Sequence, residues 1–284
     1  MKRVISFVCI AFAAWAGPSE LDQARKFYQL TDFEQSLRVL HAIPERTRDA
    51  SAWQLIGRNY YGLADYKKAT ESLEKAAALS QGDAEIELWM GRAYGRRAET
   101  SSVITAPGYA GKARQHFEKA AQLNPNYLEA QSDLFEYYLE APGFLGGGQD
   151  KAAATAAQIA RINAAEGQWA EAKLAEKRKE FSKAEQHLRR AIEIAPHQIG
   201  RFIDLARLLT KQGRIQEADQ SIAHAEKIAP NSPKLMFAKA DLYIKNKRNL
   251  DQARDLLRRY LTMSLTPDDP PRSQAEKLLK QLSS

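Results

Sequence analysis

Apolar and small residues recur along this chain with the spacing of helices that bury one face. Around Trp53 the apolar positions fall three and four residues apart, and similar spacing returns through most of the sequence. Because an α-helix completes a turn every 3.6 residues, this spacing collects the apolar side chains on one side of each segment. The pattern predicts a chain built from amphipathic helices.

The helical pattern itself repeats at an interval of about 34 residues. Gly57 and Gly91 are 34 residues apart, and so are Pro196 and Pro230. The first segment of a unit reads apolar-x-x-apolar-Gly-x-x-Tyr, as in residues 53–60, and the second reads Ala-x-x-x-apolar-x-x-Ala, as in residues 69–76. A proline closes the units that end at Pro125, Pro196 and Pro230. This arrangement resembles the tetratricopeptide repeat, which is a pair of helices.

The resemblance covers most of the chain after Ala16 and implies an all-α fold. The implied architecture is a right-handed superhelical solenoid of antiparallel helix pairs, with about six to seven repeats. One pair cannot bury its apolar face alone, so neighbouring pairs must stack, and small residues such as Gly57 and Gly91 should let the paired helices approach closely. We expect a single solenoid over residues 17–284, closed by a capping helix at 272–282.

Two segments exceed the regular interval and contain Ala-Pro-Gly. They predict long loops within repeats near 97–111 and 141–149, and stacking should place both loops on one edge. We expect Phe144 and Leu145 to tuck against the array, with Tyr109 contributing. A nucleotide P-loop is excluded by the spacing of the glycines. Three alternatives stay open: an ordered turn that braces adjacent repeats, a loop edge that binds a partner, and an anion site at a helix start.

The first residues have the layout of a targeting segment. A positive start is followed by an apolar stretch at 4–14 and by small residues around Ala16. This layout predicts a signal peptide over residues 1–16, with an uncleaved anchor as the alternative. The only cysteine, Cys9, lies inside it, so the mature chain would carry no thiol. We expect export to a Gram-negative-type periplasm or secretion from the cell.

Charge and candidate chemistry exclude several classes of function. The net charge is +7, and basic residues are interspersed with acidic ones instead of forming a basic block. Nucleic acid is therefore not an expected partner. The five histidines lack metal-ligand spacing, and no nucleophile motif is present. We expect no catalytic, cofactor or metal site, and no membrane span in the mature chain.

The first helix of each pair should line the inner wall of the array. Residues that share a face of these helices form a stripe that is basic with a tryptophan, then acidic, then basic again. A rigid aromatic residue beside arginine is typical of a binding hot spot. The alternative is a solvated wall with the tryptophans tucked between repeats. The predicted groove residues are Arg58, Tyr61, Trp89, Arg92, Arg96, Asp133, Glu136, Glu140, Trp169, Lys173 and Arg207.

The resemblance implies a non-catalytic protein–protein interaction scaffold or adaptor. We expect it to act in the cell envelope and to bind a peptide or a partner segment in its concave groove. One alternative is a structural subunit of an envelope complex that contacts partners through the loop edge, at Tyr109, Phe144 and Leu145. Another is a carbohydrate- or anion-binding protein that uses the glycine-rich loops.

Overall fold

The computed structural model describes residues 19–282, and the regular secondary structure in that range is helical. The predicted signal peptide at 1–16, with Cys9, lies outside the described residues. Two short 3-10 turns occur at Glu45–Thr47 and Gly143–Leu145. The fifteen α-helices are α1 (Glu20–Gln29), α2 (Phe33–Ala42), α3 (Ala50–Gly62), α4 (Tyr66–Leu79), α5 (Ala84–Thr100), α6 (Ala106–Leu123), α7 (Leu128–Glu140), α8 (Gln149–Ile162), α9 (Ala164–Lys177), α10 (Phe181–Ile194), α11 (Ile199–Lys211), α12 (Ile215–Ile228), α13 (Pro233–Lys245), α14 (Leu250–Leu261) and α15 (Arg272–Gln281).

The first fourteen helices form seven consecutive pairs, from α1 with α2 to α13 with α14. Each helix contacts its partner in the pair and the helix that follows in the chain. The last helix, α15, packs against α14 and covers the C-terminal end of the array, where Tyr260 and Ala275 are fully buried. This arrangement confirms the predicted all-α array of stacked helix pairs. The odd-numbered helix of each pair is called its first helix below, and the even-numbered one its second helix.

Aspartate side chains mark several helix starts. The Asp65 carboxylate accepts a hydrogen bond from the Lys68 amide at 3.1 Å, and Asp83 accepts one from the Glu85 amide at 2.9 Å. The first amides of a helix have no acceptor within the helix, so a capping carboxylate satisfies one of them and fixes where the helix begins. Capping side chains therefore fix where these helices begin, and the pattern of apolar residues determines which face of each helix is buried.

Glycine at the crossing of paired helices allows the close approach that the repeat pattern predicts. A Cβ atom at Gly57 would lie 2.6 Å from the side chain of Leu73 on the second helix. One at Gly91 would lie 2.5 Å from the ring of Phe117. These distances are well inside van der Waals contact, so both positions require glycine for the pair to pack as observed. This part of the sequence prediction is confirmed.

Most connections within a pair are short turns with at least one residue in the left-handed region. Five of the seven pairs use such a turn. The left-handed residues are Thr31, Ala64, Lys179, Gly213 and Lys247, with φ values of 58°, 60°, 62°, 75° and 52°, and the seventh pair adds Asn249 at 50°. The third and fourth pairs connect differently.

The predicted long loop near 97–111 is wrong. Helix α5 continues to Thr100 and α6 begins at Ala106, so only residues 101–105 connect them. Pro107 lies in the first turn of α6, where a backbone amide has no acceptor within the helix, so the missing amide proton costs nothing there. A Cβ atom added at Gly108 would have no other atom within 4 Å, so a side chain fits at this position. The additional residues therefore lengthen both helices of the third pair, by roughly one turn each.

The connection of the fourth pair, residues 141–148, is an ordered turn. The Tyr137 hydroxyl donates to the Leu145 carbonyl at 2.9 Å, and Gly146 adopts a φ of 86°, which favours glycine. Because backbone hydrogen bonds hold the turn, its apolar side chains are not needed for anchorage. The expectation that Phe144 tucks against the array is wrong, since this side chain is 82% exposed, and Leu145 is half-buried.

Replacing Gly91 with alanine tests the close approach. Gly91→Ala should lower the free energy of unfolding by about 1–3 kcal/mol, because the new methyl group overlaps Phe117. The measurement is chemical denaturation followed by circular dichroism.

Gly108→Ala is the matched control, since Gly108 is also helical but faces open space. It should be neutral or stabilising by up to about 1 kcal/mol, because alanine favours helix. Equal effects of the two substitutions would contradict the packing argument.

Candidate functional site

The first helices form one continuous side of the array. Helix α5 contacts α3 and α7, the first helices of the neighbouring pairs, whereas successive second helices lack contacts of that extent. A stack that is tighter along one side curves towards that side, so the first helices lie on the concave surface. This concave surface is called the inner wall below. The predicted groove residues all belong to α3, α5, α7, α9 and α11.

Trp89 is held on the inner wall between two guanidinium groups. The Arg58 guanidinium carbon lies 4.6 Å from the centroid of the Trp89 ring, and that of Arg92 lies 5.0 Å away. Tyr61 meets the same indole edge-on at 5.4 Å. Attraction between a cation and the face of an aromatic ring stabilises this arrangement. The structure thus brings together four of the predicted residues, and Trp89 stays partly exposed.

Arg58 and Arg92 also form ion pairs with the next repeat. Arg92 donates to Asp133 at 2.5 Å and to Glu129 at 3.1 Å, both on α7, and Arg58 donates to Glu85 at 2.9 Å. Burial raises the pKa of the Asp133 carboxyl, and Arg92 opposes that rise. The predicted basic and acidic parts of the stripe therefore neutralise each other between repeats.

Arg96 points towards the end of α5. It donates to the Tyr66 hydroxyl at 3.3 Å and pairs with Glu99 on its own helix. The ring of Tyr66 in turn meets Tyr61 edge-on at 5.5 Å. Burial raises the pKa of Tyr61 to about 12, so this hydroxyl stays protonated at neutral pH. An aromatic and cationic cluster thus joins the second and third pairs.

The remaining predicted positions are mostly paired as well. Glu140 accepts from Lys177 of the next first helix at 2.8 Å, and Arg207 lies 3.7 Å from Asp204 on its own helix. Trp169 is only 7% exposed.

Trp169 packs on Phe135 with a centroid distance of 5.6 Å, and the Arg201 guanidinium lies over the indole at 4.8 Å. Side chains of both neighbouring repeats thus contact the indole. Trp169 is therefore core, and it is not presented to a partner.

Glu136 and Lys173 differ from the other charged residues predicted to line the groove, each of which has an ion-pair partner. Within residues 19–282, neither side chain has an ion-pair partner within 4.0 Å. Glu136 is exposed to solvent, but it lies on a concave wall with protein around it. This surrounding protein raises the pKa of the Glu136 carboxyl. The carboxylates of Asp133, Asp204 and Glu140 add to the rise, and Lys173 opposes it.

The loop edge holds residues that the sequence pattern misplaced or missed. Tyr109 belongs to α6, stacks on Tyr94 at a centroid distance of 6.2 Å, and accepts a hydrogen bond from Arg97 at 2.7 Å. Val103 and Ile104, which the sequence reading did not single out, are 90% and 91% exposed. In the sequence, these two adjacent aliphatic residues directly follow a Ser-Ser pair, and this pattern could have indicated an exposed apolar connection.

The glycine-rich turn does not offer its amides to an anion. The Gly146 amide donates to the Gly143 carbonyl at 2.9 Å, Gly147 to Pro142 at 3.2 Å, and Gly148 to Tyr138 at 2.8 Å. These three donors are therefore used inside the turn, which does not support the anion-binding alternative.

In residues 19–282, no cluster of three or more histidine, cysteine, aspartate or glutamate side chains is placed to hold a metal ion. In the same range, none of the helices combines the length and the apolar character needed to cross a bilayer.

Comparison with known families explains the geometry. Family profiles described as tetratricopeptide repeat match residues 50–83 and 175–234. The chain carries tetratricopeptide repeats. Proteins built from tetratricopeptide repeats are generally non-catalytic, and the fold suggests a scaffold for protein–protein interactions. No curated protein has a sequence that matches this chain.

Several solved structures resemble this one in fold, and those from Parabacteroides merdae and Thermus thermophilus are tetratricopeptide-repeat proteins. A protein from Parabacteroides merdae is 15% identical, with a TM-score of 0.60 over 93% of this chain and 98% of that chain. A thermophilic protein from Thermus thermophilus is 20% identical, with a TM-score of 0.55 over 67% and 97%. An assembly chaperone of RpL4 is 14% identical, with a TM-score of 0.52 over 81% and 96%. At these identities the likeness concerns the fold alone.

Replacing Arg92 with glutamine tests whether the inner-wall ion pairs hold neighbouring repeats together. Arg92→Gln should lower the free energy of unfolding by about 1–3 kcal/mol near neutral pH, because it leaves the Asp133 carboxylate without its cation. The folded-state pKa of Asp133 then lies further above its unfolded value. The loss should therefore shrink as the pH falls and Asp133 becomes protonated. Denaturation at several pH values measures this.

Arg25→Gln is the control for the loss of a surface ion pair. Arg25 and its partner Asp22 have side chains that are 52% and 53% exposed. Exposed pairs contribute about 0–1 kcal/mol, so this substitution should have little effect. A pH-independent effect of Arg92→Gln, or one equal to that of Arg25→Gln, would count against a structural role for the Arg92 pairs.

Proposed function

We propose that this protein is a non-catalytic scaffold that binds a segment of a partner protein along its inner wall, in the cell envelope after export. The proposal rests on the absence, in the described part of the chain, of ion pairs at Glu136 and Lys173. These opposite charges share the inner wall, and the array leaves both without an ion pair. A partner segment with one basic and one acidic side chain at neighbouring positions would satisfy both.

The electrostatics of Glu136 favour this role over a purely structural one. Like charges and the surrounding protein disfavour its ionised form in the free protein. A basic group from a partner would relieve that unfavourable interaction on binding. A group that weakens the free protein but strengthens a complex is typical of a functional position.

Trp89 provides the apolar contact beside these charges. Its indole is partly exposed, and Arg58 and Arg92 fix its orientation. A rigid tryptophan gives a large contact area with little loss of side-chain entropy on binding, which is why tryptophan and arginine recur at hot spots. We therefore expect an apolar residue of the partner to lie against Trp89.

The paired charges of the inner wall hold this surface in one shape. Arg92 joins α5 to α7, and the Glu140–Lys177 pair joins α7 to α9. Contacts that already fix neighbouring repeats reduce the ordering needed on binding. The groove is thus prepared for an extended segment instead of being formed by it.

Glu136→Gln separates binding from stability. Since the folded-state pKa of Glu136 lies above its unfolded value, ionisation of this carboxyl favours unfolding as the pH rises through the folded-state pKa. Removing the charge should raise Tm near neutral pH, and the gain should vanish below about pH 4, where the unfolded carboxyl is protonated as well. The same substitution should weaken partner binding by about tenfold.

The binding measurement begins with capture of partners from an envelope extract by the full chain. Titration calorimetry then follows, with the purified partner and the variants Glu136→Gln and Lys173→Gln. Glu276→Gln is the control, because Glu276 is also an exposed helical carboxylate but lies on α15, away from the inner wall. If both inner-wall variants bind the partner as tightly as the unmodified chain, the contact lies elsewhere and the groove proposal fails.

Export rests on residues 1–16 and needs its own experiment. Expressed in a Gram-negative host, the chain should be recovered from the periplasm with an intact mass that begins at Gly17. Ala16→Tyr should block cleavage and retain the precursor, because a large side chain does not fit a small-x-small site. Full-length protein that remains in the cytoplasm would contradict the envelope assignment.

A further inference from the structure

The third helix pair projects beyond its neighbours on the edge where first and second helices connect. Helices α5 and α6 have 17 and 18 residues, against 13 and 14 in α3 and α4. The shared 34-residue register aligns α3 with the start of α5, so the four extra residues of α5 lie at its C-terminal end. Those of α6 lie at its N-terminal end. At 1.5 Å per residue, the connection at 101–105 extends about 6 Å beyond the turn of the second pair.

This projecting connection, residues 101–105, is called the tip below, and it carries solvent-exposed aliphatic side chains. Val103 and Ile104 are 90% and 91% exposed. On the same edge, Phe144 of the fourth pair is 82% exposed and Leu63 of the second pair is 37% exposed. Scattered apolar residues on a surface need no explanation, but a group of them at a projecting edge indicates an interaction site.

Positive charges without acidic partners surround the base of the tip. Arg97 donates to the Thr70 hydroxyl at 2.8 Å and to the Tyr109 hydroxyl at 2.7 Å, and Lys112 donates to the Tyr94 hydroxyl at 3.3 Å. In residues 19–282, no carboxylate lies within 4.0 Å of either cation. Both groups are thus bonded directly only to neutral oxygens, and the nearest acidic contact of Lys112 is indirect, through the Tyr94 hydroxyl that donates to Glu74.

An open hollow of about 520 Å³ adjoins the tip between the second and third pairs. Ser101, two residues before Val103, is one of the residues that line it. One acidic side chain in the lining, Asp65, is already paired with Lys68 at 2.9 Å. The lining residues with hydroxyl or cationic groups are Tyr66, Lys67, Arg97, Thr100 and Ser101. Hydroxyls and cations of this kind bind phosphate groups.

We propose that this edge docks on the surface of a bilayer that contains anionic phospholipids. Val103 and Ile104 enter the boundary between headgroups and acyl chains, and Arg97 and Lys112 meet the anionic headgroups. The projection of about 6 Å matches the depth of roughly 5–10 Å to which interfacial protein segments enter a membrane. Basic residues beside inserted apolar ones are the combination that binds anionic membranes.

The shape of the edge favours a bilayer over a folded protein as its occupant. A projecting tip needs a matching cavity in a protein partner, whereas a fluid bilayer adapts to it. The hollow beside the tip is lined by polar groups, so it suits a lipid headgroup better than the apolar tip of a second copy. These points do not depend on what the inner wall binds.

The test reads insertion at the tip itself, because the apolar residues 4–14 could bring the full chain to a membrane independently. In a Cys9→Ser background, Ile104→Cys provides a single thiol for an environment-sensitive fluorophore. Leu79→Cys is the matched control, since Leu79 is 59% exposed and lies at the opposite edge, where α4 leads into α5. Each labelled chain is titrated with phosphatidylcholine vesicles, with and without phosphatidylglycerol.

The label at position 104 should shift to the blue and brighten with anionic vesicles, but not with neutral ones. The label at position 79 should not respond. Arg97→Gln combined with Lys112→Gln should increase the lipid needed for half of the signal by about tenfold. Circular dichroism checks that these variants keep their helical content, and Lys112→Gln alone serves if the double variant melts early.

Three outcomes would overturn the proposal. The first is a silent label at position 104, and the second is an equal response at positions 79 and 104. The third is an equal response to neutral and anionic vesicles. If the label at position 104 is instead silent with vesicles but shielded by a captured protein, the tip is a protein contact and the membrane assignment is wrong.

Discussion

Close contact between the two helices of each pair is the constraint on which the rest of the structure depends. Gly57 leaves space for Leu73, and Gly91 leaves space for the ring of Phe117. Such interfaces are close-packed, so one helix cannot slide or rotate on the other without overlap. Each pair therefore behaves as a rigid unit, and stacking rigid units at a fixed interval produces a wall of regular spacing. The geometry of the inner wall is thus set by small residues that do not line it.

Charge then fixes how one rigid unit meets the next. Arg92 reaches from α5 to Asp133 on α7, and the buried Glu166 accepts from Arg201 at 2.8 Å across two first helices. These partners lie about one repeat apart in sequence, so each ion pair forms only when neighbouring units are correctly rotated. Charges used in this way are less available to a ligand. Glu136 and Lys173 take no part in these ion pairs between repeats, so both are available to bind a partner in the proposed function.

The sequence pattern predicted what depends on spacing and failed where neighbouring repeats decide the outcome. The repeating small residues identified the helix pairs, because close approach demands them. The Ala-Pro-Gly sequence at 106–108 predicts a loop, yet the first turn of a helix tolerates proline. Trp169 shares a helix face with groove residues, but whether it is covered depends on side chains of other repeats. The exposure of Phe144 likewise follows from hydrogen bonds that hold its turn, within the backbone and from the Tyr137 hydroxyl, and that no residue pattern reveals.

Helix α5 connects the two proposed surfaces. It carries Trp89 and Arg92 on the inner wall and ends at the tip, so a rod of 17 residues, about 25 Å long, relates one to the other. Docking through the tip would direct the first helices away from the bilayer plane. The inner wall, which is made of these helices side by side, would then stand upright on the membrane with its groove open to the aqueous side. Extending one pair beyond the edge leaves the contact of Gly91 with Phe117 unchanged, so the array can gain a docking edge without altering the wall.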